Sequence, residues 1–143
     1  MLFRSDPVII KSSANKIQFY IDGDYRITSS AVIGVGAWCH IAICRSGSTI
    51  TMYINGISQG TYSYASQIET SGANRPLIGG FGYNPGVAAT VGYISNLRLV
   101  KGTAVYTSNF TPSTTPLTAI SGTSLLTCQS NRDRKSTRLT PVT

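Results

Sequence analysis

Few side chains in this sequence have the chemistry of a catalytic or metal-binding group. The 143 residues include one histidine, three cysteines and five carboxylates. The carboxylates are Asp6, Asp22, Asp24, Glu69 and Asp133. Glycoside hydrolysis requires two carboxylates that flank the scissile bond, and no predicted strand carries such a pair. The sequence therefore predicts that the protein is not an enzyme.

Calcium is the metal that the carboxylates allow. Asp22 and Asp24, on either side of Gly23, could supply two of the oxygen ligands that a hard cation needs. The same Asp-Gly-Asp run is also a strong hairpin-turn signal. Asp22 and Asp24 are therefore only weak candidates for calcium, and no other metal or cofactor is predicted.

His40, the single histidine, follows Trp38 at strand spacing, which places both on one face. A catalytic histidine needs a nucleophile and an orienting acid beside it, and the sequence supplies neither. Trp38 begins a predicted central strand, where a large ring packs more readily than it binds sugar. Trp38, His40 and Tyr53 are therefore predicted to be structural.

The cysteines do not form a disulfide framework. Cys39 and Cys44 are five residues apart on one predicted strand, which separates them by roughly 16 Å at strand rise, too far for a bridge. Cys128 has the geometry to meet one of them, but buried free thiols acting as small apolar groups are the preferred interpretation. No Cys/His spacing indicates zinc.

The candidate ligand-binding residues are aromatic rings with amide or guanidinium groups nearby in the sequence. Such surfaces suit sugar rings, which combine stacking with hydrogen bonds. The alternative is that these rings fold back onto the body of the protein, and the sequence does not choose between the two. The residues are Tyr62, Tyr64, Asn74, Arg75, Phe81, Tyr83 and Asn84.

Period-two alternation predicts the elements that must position these groups. The clearest case is a hairpin within residues 38–56, with a polar turn at 45–49 and Asn55-Gly56 starting the next hairpin. A second hairpin is predicted over 16–28, with a loop at 29–36. Further strands are predicted at 8–10, 57–63, 77–80, 92–100 with a bulge near 95–96, and 125–129, and residues 101–116 are predicted to form an extended arm across the domain.

These seven or eight short strands, with no convincing helix, predict an all-β fold, an antiparallel β-sandwich. The net charge is +7, of which four cations and one carboxylate in the last thirteen residues contribute +3. The remaining charge is scattered, so no specific nucleic acid partner is predicted. No apolar run long enough for a membrane helix and no signal peptide is evident.

Two segments resemble a known family. WCHIAICRSG (residues 38–47) and MYING (52–56) are similar to the pattern W-x-H-[IV]-A-x-x-R-x-G…[LM]-Y-[IV]-N-G of laminin G-like domains, within the concanavalin A-like lectin/glucanase superfamily. GYISNLRLVKGTAVY (92–106), NFTP (109–112) and LLTC (125–128) resemble the C-terminal half of that domain. The residues at the variable positions of these motifs are similar to those of laminin G-like domains in structural proteins of tailed phages.

The resemblance implies a jelly-roll sandwich over residues 8–130, lacking its first strand or strands. Residues 1–7 and the basic tail 131–143, expected to be unstructured, do not match the family. These two mismatched ends suggest that the sequence is a fragment of a domain flanked by unrelated residues. A missing first strand would leave an unpaired sheet edge, which predicts self-association through that edge.

The resemblance also implies function. Glucanases of the superfamily carry E-x-D-x-x-E on one strand, and that pattern is absent. The expected function is a non-catalytic module that recognises a glycan or cell-surface receptor within a phage tail or receptor-binding protein, located in the virion or outside the cell. The alternative is a structural or decoration module that contacts only neighbouring virion subunits, and a glycan hydrolase is a distant third.

Overall fold

The computed structural model describes residues 8–11, 14–68, 78–79 and 91–129. Within these ranges there are eight strands and no helix, and every strand pair is antiparallel. The strands form two three-stranded sheets, β1-β2-β3 and β4-β5-β6, and a separate pair, β7-β8. Their bounds are Val8–Lys11, Lys16–Ile21, Asp24–Val32, Ile41–Ser46, Thr49–Ile54, Ile57–Ser63, Leu97–Val100 and Thr123–Thr127. The predicted all-β antiparallel sandwich is confirmed.

Two-residue turns close the hairpins of both three-stranded sheets. Asp22 and Gly23 have φ of 55° and 78°, and Asn55 and Gly56 have φ of 50° and 79°. Positive φ at both central residues is the requirement of a type I′ turn, whose twist matches that of the flanking strands. Asn, Asp and Gly tolerate this conformation best, so these dipeptides determine where the strands reverse.

The core lies between the two three-stranded sheets. On β2, the inward residues Ile17, Phe19 and Ile21 are buried while their neighbours are partly exposed. They pack in one cluster with residues of the second sheet, as the alternation of both sheets requires. The other buried members are Ile27, Ile50, Met52, Ile54 and Tyr64.

Ser29 is the one fully buried polar side chain among the described core residues. Its side chain supplies a hydrogen-bond partner where the β2–β3 pairing is irregular, at the register shift between Lys16 and Gln18. The Ser29 Oγ accepts the Ile17 N–H at 3.0 Å and donates to the Ala31 carbonyl at 2.7 Å. Both hydrogen-bonding roles of the hydroxyl are satisfied, so its burial leaves no unpaired group.

Several predicted boundaries were wrong. β3 continues to Val32 instead of ending before a loop at Ser29. β4 begins at Ile41, so residues 38–40 precede the strand. Residues 92–96 are not a strand, and the register shift in β7 lies between Leu99 and Val100.

Other predictions concern residues that lie partly or wholly outside the described ranges. Residues 78–79 form a bend within the strand predicted at 77–80, whose two end residues lie outside those ranges. The ends of the chain, 1–7 and 130–143, lie outside them too. No helix in the described part of the chain could span a membrane.

Candidate functional site

Four rings form an aromatic cluster on the outer face of the β4-β5-β6 sheet: His40, Tyr53, Tyr106 and Phe110. Tyr106 and Phe110 stack at a centroid distance of 3.5 Å and an interplanar angle of 4°. The His40 ring meets Phe110 edge-on at 5.5 Å, and Tyr53 meets it at 5.4 Å. Tyr53 alternates with the core residue Met52 along β5, yet it is only 1% exposed. The rings of the arm account for that burial.

The arm, residues 101–116, has no regular secondary structure, but two hydrogen bonds attach it to the β5–β6 turn. The Phe110 N–H donates to the Gly56 carbonyl at 3.0 Å, and the Ser58 N–H donates to Asn109 Oδ1 at 2.9 Å. A Cβ on Gly56 would overlap the carbonyl oxygen of Phe110. Glycine at this turn therefore allows both the positive φ and the close approach of the arm.

His40 is a member of this packing. Its backbone N–H donates to Asn55 Oδ1 at 2.9 Å, and its carbonyl accepts the Asn55 N–H at 2.8 Å. Its Nδ1 is buried without a hydrogen-bond partner, and burial lowers the pKa of the imidazole. No carboxylate contacts it in the described part of the chain. The geometry holds a neutral ring in place and does not activate it as a base.

Trp38 departs from its predicted structural role, because its side chain is 71% exposed. The physical reason is that the strand begins three residues later, at Ile41, so Trp38 lies in the loop after β3. This exposure argues against a role as a packing anchor. An indole this exposed leaves its apolar face available to a ligand.

Trp38 lines a shallow cleft of about 120 Å³ at one end of the sandwich. The cleft wall comes from three segments, residues 31–34, 37–39 and 54–55. Asn55 contributes an amide whose orientation is determined by its partner: Oδ1 must accept the His40 N–H, so Nδ2 points away from that bond. Nδ2 has no hydrogen-bond partner within the described ranges, and Asn55 is exposed. The site thus combines one aromatic face with one available donor.

Tyr62 and Tyr64, two of the candidate ligand-binding residues, instead fold back onto the sandwich. Tyr64 is 7% exposed and belongs to the core cluster, and Tyr62 packs against that cluster. The two rings stack at 6.3 Å, with the Arg26 guanidinium 5.2 Å from the Tyr62 ring and the Arg45 guanidinium 5.8 Å from the Tyr64 ring. These contacts favour a packing role for both rings, and their role in ligand binding stays a prediction.

The remaining candidates, Asn74, Arg75, Phe81, Tyr83 and Asn84, lie outside the described residues. Their role stays a prediction.

Asp22 and Asp24, the weak calcium candidates, both pair with a cation of their own hairpin. Arg26 approaches Asp22 Oδ2 at 3.3 Å and Asp24 Oδ2 at 3.7 Å. Asp24 Oδ1 also accepts the Tyr25 N–H at 2.7 Å. No group of three or more metal-binding side chains occurs in the described segments. Arg26 is thus the cation that the structure places beside both carboxylates.

Sequence reasoning missed the cleft because it assigned Trp38 to a strand. The available signal was local: Gly34 and Gly36 precede Trp38, and such spacing favours a loop. An aromatic residue at the end of a glycine-rich loop is a better candidate for exposure than one within a strand.

A laminin G family model, described as the concanavalin A-like lectin/glucanases superfamily, matches residues 6–115. Among solved structures, an S-layer domain-containing protein from Clostridium thermocellum is similar, with 23% identity and a TM-score of 0.42. That match covers 71% of this chain and 60% of the other. A search of curated proteins gave no match. The family match spans well over half of the sequence, and the chain therefore belongs to the concanavalin A-like lectin/glucanases superfamily.

Proposed function

We propose that this chain is a non-catalytic binding module that recognises a glycan, with Trp38 as the sugar-binding platform. The superfamily supports a binding module in general, and laminin G-like domains are typically non-catalytic. The observation that carries the glycan assignment is the 71% exposure of the Trp38 side chain beside the cleft. An indole face buries much apolar area against a sugar ring, and the Asn55 amide can add a hydrogen bond.

A glycan array followed by calorimetry tests this function. The intact chain should bind a subset of saccharides, and Trp38→Ala should weaken that binding about tenfold while the circular dichroism spectrum stays unchanged. Tyr25→Ala is a matched control, since Tyr25 is also an exposed ring, at 48%, on the far end of β3. Absence of binding to every saccharide would refute the proposal.

The non-catalytic assignment is supported by the position of the carboxylates. The two within the described ranges, Asp22 and Asp24, flank one turn and pair with Arg26. They do not face each other across a cleft, as glycoside hydrolysis requires. Release of reducing sugar from any polysaccharide that the chain binds would contradict this assignment.

Binding is further proposed to be independent of calcium, since the Arg26 guanidinium already neutralises the only carboxylate pair in the described segments. Addition of EDTA should leave both glycan affinity and unfolding temperature unchanged. A fall in either on chelation, reversed by calcium, would show that a metal takes part.

The biological setting rests on the resemblance of the motif to phage structural proteins. We place the module in a tail or receptor-binding protein that contacts a host surface, in the virion or outside the cell. Sequencing of the genes on either side tests this placement. Neighbouring genes for virion structural proteins would support it, and neighbours without any such role would contradict it.

A second candidate function, a module that binds neighbouring subunits, is favoured by the edge of the first sheet. In the described part of the chain β1 pairs only with β2, and the Ile9 side chain is 52% exposed. An unpaired strand edge with an exposed aliphatic residue is a template for another chain. Analytical ultracentrifugation should then show association that Ile9→Lys removes.

A further inference from the structure

The Trp38 cleft has no charged side chain among the described residues that line it. Its side chains are aliphatic or aromatic apart from two, the Cys39 thiol and the Asn55 amide. Burial raises the pKa of the Cys39 thiol, which keeps it neutral at pH 7. No lysine, arginine, aspartate or glutamate is among the lining residues within the described ranges. A ligand in this cleft therefore meets a wall whose exposed area is about half polar and half apolar, with no charged side chain among the described lining residues.

The arginines of the described part of the chain are held elsewhere. Arg26 pairs with the carboxylates of its hairpin. Arg45 donates to the carbonyls of Gly47, Ala65 and Ser66, and Arg98 donates to that of Thr118. Lys16 lies opposite Val32 in the strand register and is not among the described residues that line the cleft.

This chemistry distinguishes between classes of saccharide. An uncharged pyranose has a face of C–H groups that stacks on an indole and hydroxyls that accept an amide N–H. A uronic acid or a sulfated sugar would bring an anion against apolar side chains that provide no cation. Removing an anion from water without a partner is costly.

The size of the cleft limits how much of the ligand it contacts. Small-molecule pockets usually enclose about 300–1,000 Å³, and this cleft is only about 120 Å³. It is too small to surround a sugar residue, so one ring would lie across it on the face of Trp38. A single exposed contact of this kind predicts affinity in roughly the millimolar range.

We infer that the Trp38 cleft selects an uncharged saccharide, binding one ring through its C–H face and rejecting acidic sugars. This inference rests on the proposed glycan-binding function and adds the chemical class of the ligand. The net charge of +7 acts differently, since it attracts polyanions over long range in a salt-sensitive manner.

Trp38 is the single tryptophan of the sequence, so its fluorescence reports this site alone. The experiment titrates the intact chain with the methyl glycosides of glucose, galactose, mannose and N-acetylglucosamine. The matched anionic probes are the methyl glycosides of glucuronic and galacturonic acid. Each titration is repeated at low and physiological salt.

At least one neutral glycoside should change the Trp38 emission saturably and independently of salt. Both uronates should bind at least about tenfold more weakly than the neutral glycoside that binds most tightly. Equal or tighter binding of the uronate at physiological salt would overturn the inference while leaving the glycan-binding function intact. Absence of binding by both classes, in this titration and on the array, would refute the function and the inference together.

Three variants, measured by calorimetry, locate the selectivity. Asn55→Asp keeps the acceptor for the His40 N–H but removes the Nδ2 donor, so neutral binding should weaken several-fold. Trp38→Ala should weaken it about tenfold. Lys16→Gln should leave the ratio of neutral to acidic binding unchanged, and a rise in that ratio would show that a cation outside the cleft contributes to the binding of acidic sugars.

Discussion

Trp38 and His40 lie two residues apart in the sequence, yet the structure uses their rings in opposite ways. His40 packs edge-on against Phe110 within the aromatic cluster, whereas the Trp38 side chain is 71% exposed beside a cleft. The difference arises from residues distant in the sequence, because the arm covers the ring of His40 and no described segment covers that of Trp38. Aromatic residues of one motif can thus stabilise the fold or remain available to a ligand.

The largest effect should come from the point where the arm approaches the β5–β6 turn. In Gly56→Ala, the alanine would have to adopt a positive φ, and its Cβ would overlap the carbonyl oxygen of Phe110. The variant should therefore lower the free energy of unfolding by about 3 kcal/mol or more. Gly47→Ala is the control, because it has φ of 58° but open space around the added Cβ. It should cost about 1 kcal/mol. Equal losses of unfolding free energy for the two variants, measured by urea denaturation, would show that the arm does not pack against the β5–β6 turn.

Removing a ring of the arm should have the next largest effect. Phe110→Ala deletes the partner of Tyr106, His40 and Tyr53, and should cost about 2 kcal/mol, since the site is only partly buried. It should also raise the reaction rate of Cys44 with a thiol reagent. The Cys44 thiol contacts the backbone of Val105 and Tyr106, and burial raises its pKa. Unchanged thiol reactivity and stability would argue against arm docking.

Acid should loosen the same cluster through His40. Burial lowers the pKa of His40 in the folded state, so the unfolded chain binds the proton more readily. The contribution of the neutral His40 ring to the free energy of unfolding is fully present above the pKa of the unfolded state, about 6.5. It is lost as the pH falls from there through the lower pKa of the folded state. The stability difference between the native protein and His40→Gln should narrow over that window. A difference that does not vary with pH would mean that the ring is solvated.

The smallest effect on folding should come from the exposed ring. Trp38→Ala should change the free energy of unfolding by less than about 0.5 kcal/mol, as for surface substitutions generally. Thermal unfolding of the variant checks this, with Phe110→Ala as the contrasting buried site. A large loss would return Trp38 to the structural role that the sequence suggested.

The sheets were predictable because short-range chemistry determines them. Asp22-Gly23 and Asn55-Gly56 form the turns their residue types favour, and the alternation of Ile17, Phe19 and Ile21 identifies the core face. The arm was also predicted as an extended segment crossing the domain, and its rings do pack on the second sheet.

The candidate site was less predictable, because exposure depends on contacts between distant segments. In the sequence, Tyr62 and Tyr64 fit an exposed or a buried position equally well, and Trp38 fits a buried one better. Tyr64 is buried because it joins the cluster between the sheets, and Trp38 is exposed because β4 begins only at Ile41. Neither fact follows from strand periodicity near the residue itself.

Quenching of the Trp38 fluorescence by acrylamide tests the central claim most directly. Excitation at the red edge of the absorption band selects the single tryptophan over the tyrosines. The structure predicts emission typical of a solvated indole, efficient quenching by acrylamide, and protection when a neutral glycoside that binds on the array is added. Blue-shifted emission that acrylamide barely quenches, or quenching that no glycoside reduces, would contradict the assignment of Trp38 as an exposed sugar-binding platform.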